Sequence, residues 1–523
     1  VHIYMRGVYN SVTDIRRKVF AAIAKMAYDD NIDLARRIEE IPYEILPGTK
    51  AKYRTSIFLE RAIIGERLRL GMGLPVRDLA DFAALGDGIE ESAIATKYYD
   101  PPLVNIIKFA CNACPEKKVF VTNACQGCLS HQCTEVCPKD AIHIVNGRSL
   151  INDEKCIKCG KCMEACPYHA IVKLERPCSA SCGMDAIKSD EDGKAIINYD
   201  KCVSCGQCLV SCPFGAIVGK GQIFQTIYAM KEGYEVIAAI APAFVGQFGP
   251  SITPPKVRAA LQQLGFADVV EVSIGADLCA IEEAEDFLNK VPDKQPFMAT
   301  SCCPAWSVMA KKEFPQFAPY ISMALTPMVL TGRLIKKKKP NAKVVFIGPC
   351  AAKKLEASRK SIRSDIDFVL TFEEVMGMFE AKGIDMNQNF EETPLREGSN
   401  AGRNFAVSGG VAKAVKDLIE KKHPEMDVKV QSAEGLKNCK TMLMMAKAGR
   451  LNGYLLEGMA CPGGCVAGAG TLQPITKSTA LVKKLSSDPT NKAMADESEY
   501  KDMLKVLSEM LEEFNEDEIL ETK

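Results

Sequence analysis

Sixteen of the chain's 23 cysteines fall between Cys111 and Cys212, many of them in C-x-x-C steps. A segment that dense in thiols either closes disulfides or binds metal. Disulfide scaffolds belong to short secreted chains with little core. This chain has 523 residues, and its opening stretch, VHIYMRGVYNSVTDIRRK, holds no signal-peptide apolar core. Metal ligation is therefore the expectation, in a cytoplasmic protein of two to four domains. The 66 basic and 66 acidic side chains cancel, which argues against nucleic acid or a membrane surface as the main partner. No apolar stretch reaches the roughly 18 residues of a membrane span.

Two runs match the bacterial ferredoxin pattern C-x2-C-x2-C-x3-C-P without adjustment. One is CIKCGKCMEACP, with Cys156, Cys159, Cys162 and Cys166; the other is CVSCGQCLVSCP, with Cys202, Cys205, Cys208 and Cys212. An earlier run, CQGCLSHQCTEVCP, carries a longer gap among Cys125, Cys128, Cys133 and Cys137. Thiolates are soft, anionic ligands suited to iron–sulfur clusters, and close spacing lets one loop cover three iron corners. His131 and His169 read as surface histidines, because four cysteines already serve each run.

The segment repeats. Each copy runs cysteine, Ala-Ile, a hairpin-like stretch and a full ferredoxin run, starting at Cys137 and again at Cys182. In two-cluster ferredoxins the fourth cysteine of a run ligates the other cluster. That rule gives one cluster Cys125, Cys128, Cys133 and Cys166, and its partner Cys156, Cys159, Cys162 and Cys137. The second copy lacks an early C-x-x-C beside Cys178 and Cys182; the missing pair stands upstream as Cys111 and Cys114. The first unit then lies inside the second, with a third cluster on Cys111, Cys114, Cys178 and Cys212 and a fourth on Cys202, Cys205, Cys208 and Cys182. The alternative is a separate cluster or zinc on Cys111, Cys114, Cys178 and Cys182. Either way, a row of clusters carries single electrons.

After Gly221 the texture changes to alternating strands and helices, the pattern of an α/β domain. YEVIAAIAPAFV, AKVVFIGPC and GYLLEGMAC read as buried strands running into loops, and ligands gather beyond such strand ends. Three cysteine groups follow strands or loops: TSCCPAW, GPCAAKKLE and EGMACPGGCVAGAG. Cys461 and Cys465, with Cys350 and one of Cys302 or Cys303, make four ligands for another [4Fe–4S] cluster. That leaves a second cysteine adjacent to a ligand, and Lys353 three residues after another. A fifth electron-transfer cluster requires neither.

These three signatures, in this order, resemble those of the [FeFe]-hydrogenases, over residues 120 to 510 or so. The resemblance implies a monomeric enzyme with ferredoxin-like N-terminal clusters, a two-lobed α/β catalytic domain and an H-cluster. The H-cluster is a [4Fe–4S] cubane joined through one cysteine sulfur to a two-iron unit with carbonyl, cyanide and azadithiolate ligands. By motif, Cys303, Cys350, Cys461 and Cys465 hold the cubane, Cys465 bridges, and Cys302 is the proton-exchanging thiol. Lys353 matches the lysine facing a cyanide, Met459 a packing residue beside the two-iron unit, and Ala241, Pro242 and Ala243 the loop on the cyanide side. Glu283, Ser322 and Asp286 match the proton path, with Lys290 near its arginine terminus. Glu283 and Asp286, three apart on a helix, share a face.

The chain departs from the family in Ala305 for glycine, Gly348 for a methionine, Ala243 for a serine, Asp286 for glutamate and AGAGTL for a glycine run. None removes a ligand or Cys302, so the departures mark a divergent branch. Cys279 and Cys439 receive no role, and RLIKKKKPNAK reads as a solvated helix end.

The expected organisation is a helical region over 1–105, two ferredoxin-like units over 106–220, a catalytic domain over 221–475 and a helical wrapping segment over 476–523. The expected activity is reversible conversion of two protons and two electrons to H2, with ferredoxin or another low-potential carrier as partner and dedicated maturation proteins supplying the two-iron unit. Four accessory [4Fe–4S] clusters would feed it, the one on Cys202, Cys205, Cys208 and Cys182 nearest the catalytic domain. The alternatives are an H2 sensor, a noncatalytic iron–sulfur scaffold and an electron-input subunit; the first predicts slow turnover and the second needs no Cys302.

Overall fold

The computed structural model describes residues 7–509 apart from 99, 360, 361, 363, 389, 396 and 397. The first six residues and the acidic end of the C-terminal tail, from 510 on, lie outside the described residues.

The C-terminal half holds two parallel sheets. The first orders its strands Asp268–Glu271, Val236–Ile240, Lys343–Gly348 and Phe368–Thr371. Its central strands are buried on both faces because helices cover the sheet, which is why VIAAI and VVFIG read as continuous apolar runs. The second sheet orders Met298–Ala299, Tyr454–Met459 and Lys429–Glu434. Three of these strands end one or two residues before a cysteine or a cavity-lining loop: Ile240 before Ala241, Gly348 before Cys350, Met459 before Cys461. Ala299 leads through two residues to Cys302.

The helices obey local rules. Pro254–Leu264 starts on Thr253, whose hydroxyl accepts from Lys256 N, has proline at its first position, and stops at Gly265 with φ 114°. The long helix Ser273–Lys290 buries Asp277, Cys279 and Glu283 with its apolar face. Leu334 and Ile335 bury the start of the basic run, and Arg333 pairs with Asp365 at 3.1 Å; only residues 337–340 are the solvated helix end.

The cysteine-rich segment is built from four antiparallel strand pairs. Val104–Ile106 pairs with Ile217–Gly219, and Lys118–Val121 pairs with Ile171–Leu174. The second pair falls within the chain enclosed by the first. Two hairpins, Ile142–Val145 with Arg148–Ile151 and Ile187–Ser189 with Ala195–Ile197, repeat inside them.

The N-terminal helices touch both halves. Ser11–Tyr28 packs on Phe372–Lys382 so closely that a Cβ on Gly377 would lie 2.5 Å from Phe20 Cβ. Ile57–Gly71 is buried nearly all round, and before it Arg54 donates to Ala110 O and Phe214 O in the cysteine segment. The described part of the tail crosses the catalytic domain: Asn400 N donates to Lys492 O at 2.7 Å, Lys421 pairs with Asp496 at 2.7 Å, and Arg333 donates to Leu507 O. The molecule is thus a large α/β domain preceded by the cysteine-rich segment and N-terminal helices. Among the described residues no helix is long and apolar enough to cross a membrane.

Candidate active site

The loops beyond the strand ends enclose a largely apolar cavity of about 80 Å³, several times what one water needs. Cys302, Cys303, Cys350, Cys461 and Cys465 line it with Lys353, Met459, Ala241, Pro242 and Ala243. Residues spread over more than 220 positions therefore meet at one place. Cys205, from the cysteine segment, lines the same cavity.

Adjacent Cys302 and Cys303 face different surroundings. Cys303 stands at the N-cap of the helix Pro304–Glu313, where the backbone N–H groups of Ala460, Trp306 and Ala305 act on its thiol. Burial raises its pKa, and those donors work against the rise, as a ligand thiolate requires. For Cys302, burial pushes the thiol well up and the nearby Glu283 carboxylate adds to it. Cys302 is thereby kept a protonated thiol beside a carboxylate. Glu283 is fully buried and accepts from Ser301 N at 3.0 Å.

The sole tryptophan sets this turn. Trp306 is fully buried, donates from Nε1 to Thr300 O at 3.0 Å and lies on the strand that leads to Cys461. A Cβ on Gly458 would stand 2.1 Å from its ring, so only glycine leaves room. At the other ligand loop Gly463 and Gly464 adopt φ 96° and 88°, and Gly463 N donates to Glu434 Oε2.

Burial opposes the charge of Lys353, but Glu356 at 2.6 Å outweighs it and raises the ammonium's pKa. Glu356 in turn accepts from Thr326 Oγ1 at 2.7 Å, and Lys353 Nζ donates to Cys302 O at 3.4 Å. Glu356 and Thr326 are site residues that motif reading missed: Glu356 ends the GPCAAKKLE stretch without being singled out, and Thr326 lies outside every signature. Ser322, itself buried, accepts at Oγ from Ala324 N at 3.1 Å, and nearer the surface Asp286 pairs with Lys290 at 3.0 Å. Glu283 and Asp286 share a helix, but Glu283 is buried and Asp286 half-buried.

The departures have structural counterparts. A Cβ on Gly348 would meet Phe346 Cε1 at 2.5 Å and Ala241 Cβ at 3.2 Å, so the Phe346 ring fills the space a longer side chain would take. Ala243 and Ala305 are buried.

The donor set fits a [4Fe–4S]-linked group. Five thiols and one ammonium surround an apolar space, and burial pushes Cys350 up to about 12 and Cys465 well above its ordinary value. Thiols so raised become thiolates only when a cation compensates them. Among the described residues no three His, Cys, Asp or Glu side chains form a compact single-ion site.

In the cysteine segment, Cys212 and Cys111 add to the burial that pushes Cys178 up to about 12. Burial also raises Cys202 and Cys208, with Cys182 among the neighbours adding to both. Cys162 has Cys156, Cys159 and Cys137 for neighbours. Cys133, Cys137 and Cys166 pack in that same cluster of side chains.

Known proteins share this layout. The pattern of the "Iron only hydrogenase large subunit, C-terminal domain" matches residues 234–469, and two "4Fe-4S dicluster domain" patterns match residues 117–167 and 155–216. The periplasmic [Fe] hydrogenase large subunit of Nitratidesulfovibrio vulgaris is 31% identical over 49% of this chain and 73% of its own length. Iron hydrogenase 1 of Clostridium pasteurianum is 31% identical over 64% of this chain and 67% of its own. A cytosolic Fe-S cluster assembly factor of Xenopus tropicalis is 27% identical over 42% and 57%. The hydrogenase likeness covers most of a relative's length as well as the loops that carry the buried thiols and Lys353, and on that ground the chain belongs to the iron-only hydrogenase family.

Proposed function

We propose that this chain catalyses the reversible conversion of two protons and two electrons to H2. Cys303, Cys350, Cys461 and Cys465 would hold the cubane, with Cys465 bridging to the two-iron unit. When bound, that H-cluster supplies the site at which H2 is made or split. The observation that carries the reading is the fifth thiol: Cys302 lines the same apolar cavity as Cys303, Cys350, Cys461 and Cys465, and the fully buried Glu283 acts on it. A scaffold needs only the other four.

Cys302 holds a proton at Sγ inside the apolar cavity, and Glu283 stands behind it to exchange that proton outward. Ser322, Asp286 and Lys290 would continue the path outward, and the Asp286–Lys290 pair at 3.0 Å supports its outer end. Lys353, kept charged by Glu356, offers a cation to an anionic ligand in a dry pocket. Ala241, Pro242, Ala243 and Met459 exclude water.

The sixteen cysteines of the preceding segment would hold four accessory [4Fe–4S] clusters in the nested arrangement, which supply one-electron transfer. The enclosed strand pair 118–121 with 171–174 and the neighbours of Cys178 support that arrangement. Electrons would come from ferredoxin or another low-potential carrier, and maturation proteins would deliver the two-iron unit. The domain limits near 105, 220 and 475 go with this reading.

The test is anaerobic H2 evolution from reduced viologen after loading with the two-iron azadithiolate complex, with infrared spectra of the same sample. Carbonyl and cyanide bands, with turnover lost in Cys302→Ala, are expected. Bands with very slow turnover would shift the reading to a sensor. No bands on a complete cubane would make the chain a scaffold or electron-transfer protein.

A further inference from the structure

One turn of the cysteine segment occurs twice and meets two different fates. The repeat places Cys159, Gly160, Lys161 and Cys162 in one unit where Cys205, Gly206, Gln207 and Cys208 stand in the other. Both glycines take the left-handed backbone, at φ 87° and 77°. A Cβ on Gly160 would approach only Met163 Sδ, at 3.9 Å, whereas one on Gly206 would strike Ala469 Cβ at 2.7 Å and Ala351 Cβ at 3.0 Å. Lys161 is exposed; Gln207 retains 5% of its surface. The second turn is therefore driven into the catalytic domain, between the loop that follows Cys350 and the loop that follows Cys465.

A carboxamide is costly to bury without partners. Gln207 Nε2 donates to Cys461 Sγ at 3.0 Å, across 254 residues of sequence. Cys205, two residues before it, lines the cavity, and Cys350 is among the groups that add to the burial raising Cys205. The ferredoxin turn itself does not need a glutamine, since Lys161 serves its counterpart.

We propose that Gln207 is a positioning residue that raises the reduction potential of the cluster on Cys461 and seats the last accessory turn against it. The proposal rests on Cys461 being a cluster ligand. A donated N–H stabilises the more negative state of a thiolate-bound cluster more than the less negative one. Reduction adds one electron and breaks no bond, so the amide favours the reduced form. At Lys161 the same position points into water and carries no such contact to the catalytic domain.

The test uses the full chain, with its iron–sulfur clusters reconstituted and no two-iron unit added, titrated with dithionite and followed by electron paramagnetic resonance. The signal missing in Cys461→Ala identifies the cluster. Its midpoint is expected to fall in Gln207→Leu and further in Gln207→Glu, which keeps the volume and replaces a donor with an anion. The remaining cluster signals are expected to stay where they are. If Cys461→Ala loses no signal, the ligand reading fails and the proposal with it. If that signal is lost but both Gln207 variants titrate as wild type, the proposal alone fails. Should Gln207→Leu not retain the cluster, Gln207→Glu decides: a lowered midpoint supports the proposal and an unchanged one overturns it.

Discussion

Phe346 and Gly348 stand two apart on one strand and so on one face, and the ring of the first lies over the second. Phe346 is 3% exposed and lines the cavity. Replacing Gly348 with methionine puts Cβ 2.5 Å from Phe346 Cε1, so the ring must retreat about 1 Å to reach an ordinary contact of ~3.5 Å. Overpacking of that kind costs about 1–3 kcal/mol. Removing the ring in Phe346→Ala costs about 3–5 kcal/mol by opening a cavity. In the double variant the methionine enters the space the ring leaves, so the double variant should cost at least about 2 kcal/mol less than the two single changes added together, whereas independent sites add within about 0.5 kcal/mol. Trp306 provides the assay: it is the only tryptophan, fully buried in the same domain, and its fluorescence follows urea unfolding of that domain alone. Additive losses among wild type, Gly348→Met, Phe346→Ala and the double variant would refute the account of Phe346 as the replacement for a longer residue at 348.

Two further outcomes follow from buried charges. Burial, with Glu271 adding to it, pushes Asp277 up to about 7 against the donors from Ser399 and the charge of Arg403. The folded chain then keeps a proton that the unfolded chain releases near 3.8, so stability falls as pH rises from about 4 to 7, by about 4 kcal/mol. Asp277→Asn should flatten that fall between about pH 4 and pH 7 in urea midpoints read from Trp306, and an unchanged slope would contradict it. Glu356→Gln leaves the Lys353 ammonium buried without its partner at 2.6 Å and should cost about 3–5 kcal/mol. The same unfolding assay checks this, and Glu356→Asp should recover part of the loss.

Much of the site could be read from the chain itself because ligand chemistry is local. Spacings such as C-x2-C-x2-C and the pair CCP are set within one loop, and apolar runs such as VVFIG announce a buried parallel strand wherever the sheet lies. The sequence also offered a nested order of the cysteine units, and the strand pair 118–121 with 171–174 does fall within the chain enclosed by the pair 104–106 with 217–219. The N-terminal helices were recognisable by their periodicity, but not their position: Arg54 and Phe20 find partners in the cysteine segment and the catalytic domain.

What depended on the tertiary structure is the set of contacts made between distant positions. Sequence alone determined which residues are thiols, their grouping in loops and their order along the chain. It did not determine that Phe346 covers Gly348, that Glu356 holds Lys353 charged, or that Gln207 rather than Lys161 reaches a sulfur. Each is decided by the packing of one segment against another far along the chain, and the same left-handed turn lies open at Gly160 and wedged at Gly206 because only one of its two copies faces the catalytic domain.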